Sequence, residues 1–283
     1  MPVADLTFEQ WHSLAPSDAR RVALDAAEAV SGRVIAVETV EHLGAPLHRV
    51  RVEREGQEFA LIPGGRLSLG FDLDAWQPTP DQAADYAESW HAGLGYAPEL
   101  RTHLARTLSP RRSVVLPTAL MAVVDENMDA PPAEIPALLN ARGLRMARGL
   151  RMARGLRMAR GLRMPTSDEW EHACGTGADT LFRWGSECPL DRVPYGDPVG
   201  PHNQPNALGL HITYDTYRTE LTTDTTAVHG GDGGESVCGG YGHLLAWLPL
   251  ATANRQPDLA DFVYGPDGED VYDTFSTRPV LGL

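Results

Sequence analysis

Cys238 and His243 stand five positions apart in the run GGESVCGGYGH. A thiolate is a nucleophile and a soft metal ligand, an imidazole is a general base and a borderline ligand, and together they can share a metal ion. The glycines beside the sulfur permit close approach of a substrate. Without a metal a thiol does not activate O2, and Cys238 is then a nucleophile or a buried residue, since free cysteine is among the most buried types. His243, next to LLAWLPLA, can equally face the core with one nitrogen satisfied. His229, ahead of Gly230 and Gly231, is a further candidate for the same cleft, and GGDGG reads as a turn closed by its aspartate.

Placing such a pair needs a core, and the composition supplies one. The chain has 283 residues, 42% apolar and 22% charged, enough for one large domain or two small ones. No window approaches the roughly 18 unbroken apolar residues of a membrane helix. The start MPVADLTFEQWHS has no basic stretch or apolar block, so a cytoplasmic location with no membrane partner is expected. A net charge of −14 argues against nucleic acid, which needs a cationic surface. All 24 basic residues are Arg, a pattern we read as the codon bias of a GC-rich bacterial genome. Three cysteines without C-x-x-C spacing argue against a disulfide framework and a four-cysteine zinc site. Cys174 reads as core and Cys188 as a bystander.

The elements follow from periodicity. A helix is expected after a cap at Ser17 and before Gly32, then antiparallel strands in which Val50, Val52, Phe59 and Leu61 alternate around the Glu55-Gly56 turn. A helix from Pro80 would bury Ala83, Tyr86, Ala87 and Trp90, and another would bury Leu100, Leu104 and Leu108. SVVLPTALMAVVDE reads as a buried strand pair interrupted at Pro117, and PPAEIPALLNARG as a short helix ended near Gly143. Beyond residue 175 the chain is rich in Gly, Pro, Asn and Asp, and an irregular, loop-dominated half is expected.

Residues 141–164 are four identical copies of ARGLRM. A period of six advances a helix by about 600°, so no single apolar stripe forms, and each copy carries a glycine costing about 1 kcal/mol against helix. We read one copy as native and three as a tandem duplication, an exposed insertion and no recognition arm. After it, Thr166 and Glu169 form a capping box ahead of Trp170 and Ala173, with Gly175 and Gly177 as the stop.

The run GLRMPTSDEWEHACGTGADTLFRWG resembles the signature of the formylglycine-generating enzyme family, also called the sulfatase-modifying factor domain. PNALGLHITYDTYRTELTTD, VHGGDGGESVCGG and, upstream, FALIPGGRLSLG resemble further blocks of that family in its order. The resemblance implies an α+β fold, a loop-rich variant of the C-type-lectin architecture with limited regular structure. It implies residues 57–283 as the family domain, with the hexapeptide insertion at 141–164, and residues 1–56 as a helix and strands packing on it.

The family's chemistry is O2-dependent oxidation of a peptidyl cysteine at a copper ion held by two cysteines. Cys238 falls at the first of those positions and His243 at the second, so a thiolate and an imidazole stand where the family has two thiolates. The iron-dependent relatives' H-x-x-x-H-x-E signature is absent. Asn206 matches an asparagine near a structural calcium, with Asp215 and Asp224 as nearby oxygen donors. The implied function is metal-assisted oxidation of a thiol, in a small molecule or a peptidyl cysteine, with Cys238 as ligand or nucleophile and His243 as ligand or base. The alternative is a catalytically inactive member that binds a peptide, glycan or protein.

Overall fold

The computed structural model describes residues 2–91, 97–151, 161–266 and 275–283. Thr7 opens the first helix, α1 (Phe8–Ser13): its hydroxyl accepts the Gln10 N–H while the Gln10 side chain accepts the Thr7 N–H. Helix α2 (Pro16–Ala29) is not capped at Ser17. Pro16 takes the first helical position, where its missing N–H costs nothing, and Ala15 precedes it without a side-chain cap. The buried face of α2 is Ala19, Ala23, Ala26 and Ala27, small enough to lie close on the hairpin that follows. Its exit needs glycine for space, because a Cβ at Gly32 would meet Val52 at 2.8 Å.

Strands β1 (Arg33–His42), β2 (Ala45–Arg54) and β3 (Gln57–Ile62) are antiparallel neighbours. The two-residue turns Leu43-Gly44 and Glu55-Gly56 join them, all four residues left-handed, as the twist of tight hairpins requires. Val50, Val52, Phe59 and Leu61 are buried as their alternation dictates. Strand β4 (Gly65–Leu69) leads to α3 (Pro80–His91) and α4 (Leu100–Thr107). Helix α3 buries Gln82, Tyr86 and Ser89 in place of the expected alanine and tryptophan stripe, and Trp90 is 39% exposed. The polar face turns inward because it is satisfied there: Gln82 donates to Ser186 O, and the Tyr86 hydroxyl donates to Ala97 O.

Pro117 separates β5 (Arg112–Leu116), which pairs only with β4, from β6 (Ala119–Ala122), which pairs with β3. The expected strand pair is therefore two strands of different sheets, and only β6 is buried throughout. After β7 (Glu126–Asn127), helix α5 (Ile135–Arg151) runs through Gly143 into the repeat, against the expected stop. Residues 152–160 of the repeat lie outside the described residues. Strand β8 (Leu162–Arg163) belongs to its last copy, and α6 (Ser167–Gly175) follows with the Thr166–Glu169 box closed in both directions.

Residues 176–218 hold one 3-10 turn, Pro201–Asn203, and no described helix or strand. Short elements complete the chain: β9 (Thr219–Leu221), β10 (Val228–Gly230), α7 (Glu235–Cys238), α8 (His243–Trp247), α9 (Pro257–Val263), β11 (Phe275–Thr277) and β12 (Val280–Gly282). One sheet has the order β1-β2-β3-β6-β12-β8 and another β10-β9-β11-β7, so the fold is α+β with largely antiparallel pairing. Residue 56 lies on the turn joining β2 to β3 inside the first sheet, and one core cluster runs from Leu6 to Leu283.

The two sheets are tied by a buried ion pair. Arg278 donates to Glu220 of β9 and to the carbonyls of Ala122 and Val123, while the Trp170 indole N–H of α6 donates to Glu220 at 2.8 Å. No helix among the described residues is long and apolar enough to cross a membrane.

Candidate functional site

Strand β10 ends in the glycine run that sets up Cys238. Gly231 must lack a side chain, since a Cβ there would lie 2.2 Å from Thr216 O. The GGDGG turn is closed as its sequence suggests: Asp232 accepts the N–H of Gly234 at 2.9 Å and of Ser236 at 3.0 Å, and so starts α7. At Gly234, left-handed at φ 83°, a Cβ would strike the Tyr217 ring at 2.2 Å. That bare backbone lets Tyr217 lie across the turn, with its hydroxyl 3.0 Å from Cys238 Sγ. The hydrogen bond to Cys238, helped by burial, pushes the Tyr217 phenol up to about 12.

Cys238 is exposed at the end of α7, and nothing would meet a Cβ within 4 Å at Gly233 or Gly240 nearby. Tyr195 stands edge-on to Tyr217 with ring centres 4.9 Å apart. Tyr195 and Val199, four residues apart in one loop, are 61% and 79% exposed. The other two thiols differ. Burial pushes both Cys174 and Cys188 up to about 12, which leaves them little thiolate at neutral pH.

His243 takes another partner. Asp85 of α3 accepts the Leu244 N–H at 2.8 Å and the His243 N–H at 3.4 Å, capping α8, and its Oδ2 is 3.3 Å from His243 Nδ1. Thus Cys238 meets a phenol and His243 a carboxylate. Among the described residues no group of three or more His, Cys, Asp or Glu side chains could hold a metal ion.

The three oxygen donors are also separately engaged. Asn206 is buried, its amide donating to Ala173 O and Cys174 O and accepting the N–H groups of Leu208 and Leu210. Asp215 accepts the Tyr217 N–H, and Asp224 accepts from Thr226 and from Ser167 and lies near Arg255. The cavity beside Asn206 is lined by Arg49, Arg183 and Glu41. Asn206, Asp215 and Asp224 each have partners of their own among the described residues.

His229 does not line a cleft. It is fully buried, stacked on Trp170 with ring centres 4.5 Å apart, its Nε2 2.9 Å from Ser167 Oγ and its Nδ1 3.0 Å from Asn254 O. Burial pulls its pKa down to about 3. The Ser167–His229 pair has the spacing of a nucleophile and its base, but both residues are sealed from solvent and so weak a base removes no proton at neutral pH.

No family model and no curated protein sequence matches this chain. Tyr217 and Asp85, the residues that contact the two expected site residues, were not singled out in the sequence. They are 21 and 158 positions from their partners, and no local spacing announces either contact.

Proposed function

We propose that this chain is a divergent member of the formylglycine-generating-enzyme scaffold whose reaction-centre region binds a thiol- or disulfide-containing peptide or small molecule. The observation that carries this is the Cys238 sulfur, exposed and 3.0 Å from the Tyr217 hydroxyl, with open space at Gly233 and Gly240 nearby. Tyr195, exposed in a neighbouring loop, stands against the Tyr217 ring beside this sulfur. The family reading rests on the order of its sequence blocks within an α+β chain. No step is routed through copper.

The chemistry available to such a site is thiol–disulfide exchange. The Cys238 thiolate attacks one sulfur of a substrate disulfide, a new S–S bond forms as the old one breaks, and the leaving thiolate takes up a proton equal to the one Cys238 lost. No external oxidant is consumed. The Tyr217 hydroxyl can donate to the attacking thiolate and hold it in place.

A peptide disulfide with a chromogenic leaving thiol tests this. Wild type should release the chromophore and become covalently loaded at Cys238, Cys238→Ser should not, and Tyr217→Phe should load about tenfold more slowly, given the strength of a hydrogen bond to a charged group. Loading that persists in Cys238→Ser sinks the proposal. Copper(I) uptake that depends on Cys238, with O2 consumed on a peptidyl cysteine, would favour the oxidase reading instead.

A further inference from the structure

Most interior arginines of this chain are answered by carboxylates. Arg112 and Arg255 meet Asp168 and Glu171, Arg163 meets Glu169, and Arg278 meets Glu220. Arg49 and Arg183 are held chiefly by backbone carbonyls. Arg49 on β2 donates from Nε to Ala207 O at 3.2 Å and from Nη2 to Asn206 O at 3.0 Å. Its one ion-pair partner, the exposed Glu38, is 3.8 Å away. Arg183 donates from Nε to Ile212 O and from Nη2 to the carbonyls of Pro201, His202 and Gln204, and it has no ion pair among the described residues.

Both arginines line one cavity of about 200 Å³, with His42, Thr176 and the exposed Glu41, which makes no ion pair with either arginine among the described residues. Carbonyl dipoles orient a guanidinium but leave its charge uncancelled, and a charge taken out of water is costly unless it meets its opposite. Burial accordingly pulls the Arg183 pKa down. Among the described residues the Nη1 groups of both arginines make no hydrogen bond, that of Arg49 lying 3.8 Å from the exposed Glu38 carboxylate, so each keeps donors for another molecule. Their placement is fixed in advance. Arg183 is held by the carbonyls of the 201–212 loop, and the Arg49 stem lies on Gly209, where a Cβ would be 3.0 Å from its Cδ.

We infer that this cavity binds a tetrahedral oxyanion, phosphate or sulfate, free or carried on a small molecule, through the Nη1 groups of Arg49 and Arg183. The size suits one such group with a few further atoms. A larger cavity of about 310 Å³, lined by Arg106, Arg112 and Arg255, lacks this feature, because each of those guanidiniums already meets a carboxylate. The inference is independent of the Cys238 proposal and places an anion beside Asn206, where the family pattern suggests calcium.

Thermal unfolding and calorimetric titration with inorganic phosphate, against chloride at matched ionic strength, test it. Wild type should bind phosphate saturably and unfold at higher temperature in its presence. Arg49→Gln should weaken binding at least tenfold. Should that variant fold poorly, Ala207→Glu serves in its place: it sets a tethered carboxylate in the same cavity and should abolish phosphate binding while its circular dichroism stays that of wild type. Tighter binding of O-phospho-L-serine than of phosphate identifies a carried group, and equal or weaker binding a free ion. Identical unfolding in phosphate and chloride, or undiminished binding in a folded Arg49→Gln or Ala207→Glu, overturns the inference.

Discussion

Residues 141–146 and 159–164 carry the same six side chains in the same order, yet the first copy lies within α5 while Leu162 and Arg163 of the last form β8. Gly143 and Gly161, equivalent positions of the two copies, pack directly on one another: a Cβ at Gly143 would lie 2.7 Å from Gly161 Cα and 2.4 Å from Leu162 N. The difference lies in what precedes and follows. Upstream, Ile135 and Leu139 bury one face of α5, and a helix already nucleated extends cheaply, even through a glycine. Downstream, Pro165 biases Met164 toward extended backbone, and Leu162 finds a partner in Leu281 of β12. Six residues of this composition do not choose their own structure.

The largest expected effect tests whether the last copy is the one built into the core. Leu162 and Met164 are both buried, so Leu162→Ala should cost about 2–5 kcal/mol in urea unfolding. A loss below about 1 kcal/mol would mean β8 is dispensable.

The two glycines give a sharper contrast from one substitution. Gly143→Ala places a methyl against backbone and should destabilise by about 1–3 kcal/mol, although alanine is the better helix former by about 1 kcal/mol. Gly161→Ala meets only Asn140 Oδ1, at 3.3 Å, and should stay within about 0.5 kcal/mol of wild type. Equal costs at the two sites would break the comparison.

Arg163 pairs with Glu169, which is buried at the start of α6. Burial alone would raise the Glu169 pKa, but the guanidinium and the Thr166 N–H outweigh it and hold the carboxyl below its ordinary value. A depressed folded pKa stabilises above the unfolded value of 4.5 and loses that stability as pH falls through the folded one. Arg163→Met should therefore cost about 1 kcal/mol at pH 7, and its deficit in urea midpoint against wild type should shrink as pH falls below 4.5. Superimposable pH profiles would show that the pair contributes nothing.

A small effect is expected from the largest edit. Deleting residues 143–160 joins Arg142 to Gly161 and restores a single ARGLRM across two glycines that already touch. Loop length enters stability only logarithmically, so the shorter connection should change it by no more than about 0.6 kcal/mol, while loss of the helical residues 143–151 of α5 should lower the far-ultraviolet circular dichroism signal. An unfolded product would show that the inner copies are structural.

Local rules were legible. The tight hairpin at Glu55-Gly56, the Thr166–Glu169 box and the Asp232 turn are set by contacts between residues at most four apart. Faces governed by distant partners were legible only in part: α3 buries the expected Tyr86, but it also turns Gln82 inward, where Ser186 satisfies it, and leaves Trp90 exposed. The site behaves the same way. The exposed glycine setting of Cys238 follows from the residues beside it, whereas Tyr217 and Asp85 arrive from elsewhere and divide the expected cysteine–histidine pair between them.

By itself the sequence determined an α+β chain with a sizeable core, its tight turns and caps, and a thiol in a glycine-rich loop, because each depends on side chains near in sequence or on composition. Only the tertiary structure decided which copy of the hexapeptide becomes a strand, where His229 and His243 spend their nitrogens, and that Arg49 and Arg183 converge on one cavity, held there by backbone carbonyls. Those outcomes depend on which distant groups meet once water is excluded, and burial and charge pairing there outweigh the small preferences of any short segment.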